Sequence, residues 1–265
     1  MTANTAHRRP IDRRARERVW QTAVGLSLAA LIVGAWTAVE VTALLVIDWS
    51  RAPLWLGAAA IFLATWLFVG LFIVAHDCMH GSLAPGRPWL NRAVGRLVLA
   101  LYVAFSYDRL LPDHHRHHRR PGTADDPDYH PDLPDRFWPW FGRFMRHYFT
   151  WRQFFVMGAV FVSLVGVFGV HPLAILVFYA LPAILSALQL FYFGTFRPHR
   201  LEAAGFADDH RSRTDDFPFL VSLFTCFHFG YHHEHHLTPT VPWWRLPAAR
   251  RARRDPAATA VMTKT

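Results

Sequence analysis

The sequence predicts an all-α integral membrane protein: four transmembrane helices in two hairpins, with interfacial helices and a histidine-rich cap on the cytoplasmic side. Long uncharged apolar blocks, a one-sided placement of cations and three dense histidine clusters point there together. Of the 265 residues, 52% are hydrophobic and 15% aromatic, and the apolar residues run in blocks that a soluble helix would interrupt with polar positions. Val19 to roughly Glu40 gives a first span. Ala52 to Ala75 holds no charged residue, enough to cross a hydrocarbon core of roughly 30 Å at about 1.5 Å per residue. Phe154 to Val170 is a shorter third span, and Leu173 to Phe196 a fourth, with Pro182 as a kink that a packed bundle tolerates.

Cations set the orientation. Six arginines precede the first span, eleven lie between the second and third, ten Lys or Arg follow the fourth, and only Arg51 falls in an outer turn. By the positive-inside rule both termini face the cytoplasm, on the inner membrane of a bacterium. The net charge of +9 is thus a topology signal and gives no reason to expect a nucleic-acid partner, which would need a basic patch on a soluble domain. The Arg-rich first eighteen residues lead into a span too long for a signal h-region, so no cleavable signal peptide is expected. No internal repeat or linker divides residues 1–265, which read as one unit with basic tails at 1–18 and 248–265. The second tail is expected to be mobile, to touch anionic lipid, and to be removable without disturbing the site. Nothing in the sequence bears on oligomeric state.

The clusters are His76 and His80 in HDCMH, His114, His117 and His118 in HHRHH, and His232, His235 and His236 in HHEHH. Residues four apart share a helix face, so His76 and His80 can grip one centre, and each HxxHH sends three rings from one turn. Eight imidazoles exceed the capacity of one ion and suit two. Imidazole serves iron, copper, zinc and nickel alike, but a structural zinc site closes with four ligands, often cysteines, and the chain has only Cys78 and Cys226. Those two read as packing residues with no disulfide to draw. All three clusters fall at one predicted depth. The run Leu97–Ser106 is too short to span and is expected to lie in the interface, carrying HHRHH to the others. Residues 137–155, FWPWFGRFMRHYFTWRQFF, mix tryptophan and arginine as a surface anchor does, and some of the rings could line a substrate entrance.

GLFIVAHDCMHGSLAPGRP, HHRHHRRPGTADDPDYH, FGTFRPHR and FHFGYHHEHHLTPTVPWWRLP, spread from Leu67 to Pro247, together resemble the bacterial beta-carotene ketolases of the membrane fatty-acid desaturase and hydroxylase superfamily. The HxxxH, HxxHH, HxxHH pattern marks the superfamily, and HFGYHHEHH with PWWRLP resembles the ketolases in particular. The resemblance implies a desaturase-like fold and a non-haem di-iron oxygenase that installs a keto group at carbon 4 of a beta-ionone ring. It implies two oxidations at one carbon, to an alcohol and then to a gem-diol that loses water. Each uses one dioxygen and two electrons from an external ferredoxin or reductase, and no flavin or nicotinamide fingerprint and no CxxC cluster lies in this chain. The substrate would be a carotenoid drawn from the bilayer.

The resemblance also implies a ninth imidazole at His199, with His228 as an alternative ligand or a partner behind one. His115 offers a second register to His114. His130, His147, His171 and His210 read as ordinary polar or interfacial residues, and His7 lies in the amino-terminal tail. Asp125, Asp126 and Asp128 either steady ligating histidines or form a solvated turn. Asp77 and Glu234 are expected behind the ligands or in ion pairs. Two other readings remain open: a desaturase or hydroxylase of acyl chains or of ring carbon 3, and a metal transporter, for which the spans are nearly bare of ionisable residues except Glu40.

Overall fold

The computed structural model describes residues 13–255, which contain helices and no strands. Helix α1, Arg13–Val41, continues through a π turn, Thr42–Val46. The chain reverses at Asp48, whose Oδ1 accepts from the Ser50 N–H at 3.0 Å, and Pro53 precedes α2, Leu54–Met79. Then follow α3, Pro88–Leu101, α4, Tyr107–Arg119, and α5, Phe137–Tyr148. Thr150 and Gln153 form a capping box that starts α6, Trp151–Gly166. Helix α7, Pro172–His199, runs through two π turns. The shorter α8, Phe219–Cys226, α9, His232–Leu237, and α10, Leu246–Arg254, complete the order.

Helix α2 is the axis of the molecule, packed against α1, α3, α7 and α8. Its second half is buried almost without interruption from Leu67 to Met79. Outward apolar side chains such as Leu31, Val46, Leu54, Phe155 and Val162 are exposed along the helices, the arrangement lipid rather than water would favour. Three helices are long and apolar enough to cross a membrane: Arg13–Val46, Leu54–Met79 and Pro172–His199. The expected third span, Phe154 to Val170, falls mostly on α6. Helix α6 has 16 residues, about 24 Å of rise, and reaches span length only together with α5, from which it is bent by 82°. The bend follows from the capping box, since Thr150 is extended and restarts the helix on a new axis.

Pro182 lies inside the continuous helix α7. It sits two residues after the π turn Leu176–Ala180, where the widened ring of backbone bonds accommodates a residue that lacks an N–H. A correction concerns the carboxy-terminal tail, for residues 246–254 are helical and Arg250 pairs with Glu234 at 3.0 Å. At the other end, Arg13–Arg18 already belong to α1, and Glu17 pairs with Arg245 at 3.0 Å. His7 and residues 256–265 lie outside the described residues.

Close approaches bring the histidine-bearing helices together. Gly95 of α3 lies against Tyr107, and a Cβ there would clash with the ring atoms Cε2 and Cδ2. The Tyr107 hydroxyl in turn donates to the Cys78 carbonyl at 3.0 Å, tying the start of α4 to the end of α2. Phe227 and His228 adopt left-handed backbone, φ 48° and 64°, a conformation costly for bulky residues and held by its surroundings. Phe227 is buried between Trp66, stacked at 4.6 Å, and Trp243 at 5.2 Å. The turn reverses the chain after α8 and sets α9 under the end of α2.

Candidate metal centre

All nine predicted histidines meet at one end of the bundle, and they divide into two groups. His76, His80, His114, His118 and His235 form the first, and His117, His199, His232 and His236 the second, with the ligand-capable atoms of each group all within 4.8 Å of one another. The i, i+4 pairs stay together as helical geometry requires: 76 with 80, 114 with 118, 232 with 236. The middle member of each HxxHH crosses over. Adjacent helical residues point about 100° apart, so His117 leaves His118 for the second group and His235 leaves His236 for the first.

Nitrogen faces nitrogen across these groups. His114 Nε2 lies 2.7 Å from His80 Nε2, and His235 Nε2 lies 3.0 Å from His118 Nε2. In the second group His232 Nε2 lies 2.9 Å from His199 Nε2 and 3.0 Å from His236 Nε2. Both nitrogens of His76 and the Nδ1 atoms of His232 and His236 are buried without a hydrogen-bond partner. Buried polar atoms left so are costly; a cation would take one nitrogen of His76, while the Nδ1 atoms of His232 and His236 lie on the far side of rings whose Nε2 atoms face each other. Adjacent ligands at about 2.1 Å from an octahedral ion sit about 3.0 Å apart, against about 3.4 Å round a tetrahedral one. The nitrogen spacing and the five imidazoles of the first group fit the donor set of a metal ion.

Burial, reinforced by neighbouring imidazoles, holds His80 down to about 3 and drives His114, His118, His232, His235 and His236 well below the ordinary imidazole range. Neutral rings each keep a lone pair to give. His117 differs. Burial opposes its charged form, but Asp126, hydrogen-bonded to its Nδ1 at 2.9 Å, raises it to about 9. Asp126 is itself oriented by the Gly122 and Asp128 N–H groups, at 2.8 and 2.9 Å. His199 Nδ1 donates to the Arg211 carbonyl at 2.7 Å, leaving Nε2 as the acceptor atom that faces His232.

Outside the two groups the remaining polar residues sort themselves. His115 reaches the Met79 carbonyl at 3.0 Å and staples α4 to α2, so the His114 register is the one built. His228 packs at a tilt against Phe219, with centroids 4.5 Å apart, and stays out of both groups. His233 takes Ser212 and Asp208, His147 takes Asp113, and His130 and His171 accept backbone N–H groups. His210 lies beside His233 and His236 with centroids more than 6 Å away. Of the acidic trio, Asp126 stands behind His117, Asp125 pairs with exposed Arg120, and Asp128 accepts from the Tyr148 hydroxyl. Asp77 accepts the Trp243 N–H at 3.2 Å, and Glu234 is held by Arg250 and Thr214.

An apolar pocket opens onto both groups. Its floor carries His76 and His114 from the first and His117 and His232 from the second, and its walls include Phe72, Tyr102, Phe144, Leu190, Phe191 and Phe229. Phe144, Met145 and Tyr148 bring part of the aromatic segment 137–155 to the pocket, while Trp138 and Trp151 of the same segment are exposed. Gly194 and Thr195 line it from the second π turn of α7, Tyr192–Phe196, a deformation frequent at functional sites. Asp128 and Tyr148 are polar lining residues that the sequence did not single out as such; the signal was the aromatic residue facing TADDPDYH across α5, legible only once the helices are packed.

This helical fold with its histidine-rich end is that of the fatty acid desaturase family, whose family model matches residues 50–161 and 141–264. The chain is 47% identical over 230 residues to a beta-carotene ketolase of Paracoccus sp. strain N81106, covering 86% of this chain and 93% of that protein. A second beta-carotene ketolase, of Paracoccus sp. strain PC1, is 43% identical over 231 residues, 87% and 93% of the two chains. A third, of Haematococcus lacustris, is 36% identical over 273 residues, 92% and 84%. The chain belongs to the fatty acid desaturase family and, within it, to the beta-carotene ketolases.

Proposed function

We propose that the protein is a dioxygen-dependent beta-carotene 4-ketolase that holds two irons, one in each histidine group. The observation that carries the reading is the apolar pocket whose floor is four imidazoles, two from each group. Iron bound there would supply dioxygen activation, and the chain's share is placement and exclusion of water. His76, His80, His114, His118 and His235 would hold one ion, and His117, His199, His232 and His236 the other. Asp126 and the Arg211 carbonyl orient His117 and His199.

A beta-ionone ring entering from lipid meets Phe72, Phe144 and Phe191 on the walls, which shed water and press the ring toward the histidine floor. Carbon 4 is hydroxylated twice, and the gem-diol loses water to give the ketone. Echinenone is the product at one ring and canthaxanthin at both; a 3-hydroxylated ring would lead toward astaxanthin. Each hydroxylation takes one dioxygen, two electrons and two protons and releases one water.

The arginine distribution supports four spans, with α5 and α6 together forming the third, and both termini and the histidine end on the cytoplasmic side of the inner membrane. The whole chain acts as one unit, fed with electrons by a separate ferredoxin or reductase. Cells that make beta-carotene together with this protein test the reading. Echinenone and canthaxanthin, formed only with dioxygen present, are expected; ring-3 hydroxylation or altered fatty acids in their place contradict it.

A further inference from the structure

Away from the histidines, unbalanced charge gathers in a polar groove between α4 and α5. Arg116, Arg119 and Arg120 stand on one bank and Arg143 and Arg146 on the other. Asp113 takes Arg116 and Asp125 takes Arg120. Arg119, Arg143 and Arg146 are exposed and enter no ion pair among the described residues. The floor is Asp126, whose Oδ2 meets His117 Nδ1 at 2.9 Å. The groove therefore ends one hydrogen bond away from an imidazole of the second group.

We propose that this groove is the docking site of an acidic electron-carrier protein, with Asp126 and His117 as the shortest link from its rim to the metal centre. The proposal rests on the oxygenase reading: each hydroxylation needs two electrons, the chain carries no flavin or nicotinamide fingerprint and no CxxC cluster, and a one-electron carrier must visit twice, oxidised once per visit. Complementary charge steers such an encounter and sets its salt dependence. Charge placement favours a folded partner over a lipid headgroup. A phosphate small enough to descend would meet the buried carboxylate of Asp126, whereas a broad acidic surface rests on the rim, where the exposed Asp125 is already paired with Arg120 and Arg119, Arg143 and Arg146 are free of ion pairs among the described residues.

The test uses the full metal-loaded chain in phosphatidylcholine nanodiscs, a plant-type [2Fe–2S] ferredoxin as the probe, and the double variant Arg143→Glu with Arg146→Glu. Both positions lie on α5, which contributes no histidine to either group. The half-saturating ferredoxin concentration should rise on the order of tenfold and depend less steeply on salt, and ferredoxin binding measured by surface plasmon resonance should weaken in parallel. Lysine at both positions should restore most of the binding. The 4-hydroxylated ring formed in a single turnover begun with dithionite-reduced enzyme and dioxygen should match the parent chain.

An unchanged half-saturating concentration overturns the docking site, as does a matching loss in the dithionite turnover, which would mark a structural role. A defect confined to discs containing phosphatidylglycerol would assign the groove to lipid and overturn it as well. Absence of the 4-hydroxylated ring from the parent chain in the dithionite experiment is a separate failure, that of the oxygenase reading, and takes the docking proposal with it.

Discussion

The two histidine groups are built from the same residue type at the same depth, yet they are supported differently. The first gathers five imidazoles through helix geometry: the i, i+4 pairs of α2 and α4 face each other, and His115 and Tyr107 clamp those helices from outside. The second gathers four, and two of them are aimed by hydrogen bonds, His117 by Asp126 and His199 by the Arg211 carbonyl. One group is held by packing and the other by hydrogen bonding. With one fewer protein nitrogen, the second group would leave more room for a small ligand on an ion held there.

Removing a member of either group is the harshest way to probe that contrast. His235→Ala in the first and His232→Ala in the second should each reduce ketone formation by at least about 100-fold while the chain still inserts, because each ring lies among the closest nitrogen contacts of its group. Pigment analysis checks this, and near-normal activity in either variant would remove that residue from the ligand set.

Asp126→Asn separates the groups. It keeps the shape but loses the carboxylate behind His117, so affinity should fall about 10- to 100-fold at one metal site only. Iron per chain measured during graded chelation should drop in two stages; a simultaneous loss of both ions would mean that the groups act as one unit. Gly95→Ala probes the packing-held group instead. The new methyl cannot share space with Tyr107, and overpacking of this kind costs about 1–3 kcal/mol. Thermal unfolding should shift down, and iron loss should begin at the first group.

The smallest effect is expected at Arg250→Ala, or on truncation after Ala249. Glu234, nearly buried between His233 and His235, loses its arginine but keeps the Thr214 hydroxyl, a change of about 1–2 kcal/mol. Thermal stability should fall slightly with iron content unchanged. A stability identical to the parent chain would restore the simple-tail reading of residues 248–265.

The gathering of the eight clustered histidines was legible in the sequence because metal spacing and helix periodicity are the same arithmetic, four residues for one face, whereas His199 entered only through the family resemblance. The partition into two groups was not. Whether His117 and His235 side with their helical neighbours or cross over depends on how α4 and α9 meet, and no local pattern encodes that crossing. The long spans were legible from their apolar blocks, but the 82° bend between α5 and α6 hides in a Thr150–Gln153 capping box inside a continuous aromatic run. Helix α10 was missed because LPAARRARR has the composition of a solvated tail, whereas its order comes from buried Leu246 and Pro247 and from Arg250 and Arg254 meeting Glu234 and Asp216. Among Asp125, Asp126 and Asp128 the sequence offered equal candidates. The turn at Gly122, φ 63°, is what aims Asp126 and not its neighbour at His117.

The most direct test is elemental analysis of detergent-purified, catalytically active protein, read beside the same preparation of His235→Ala. Two irons per chain in the parent and a selective deficit at one site in the variant are expected. Active parent protein with no transition metal, or with a single ion unaffected by that substitution, would contradict the two-centre account.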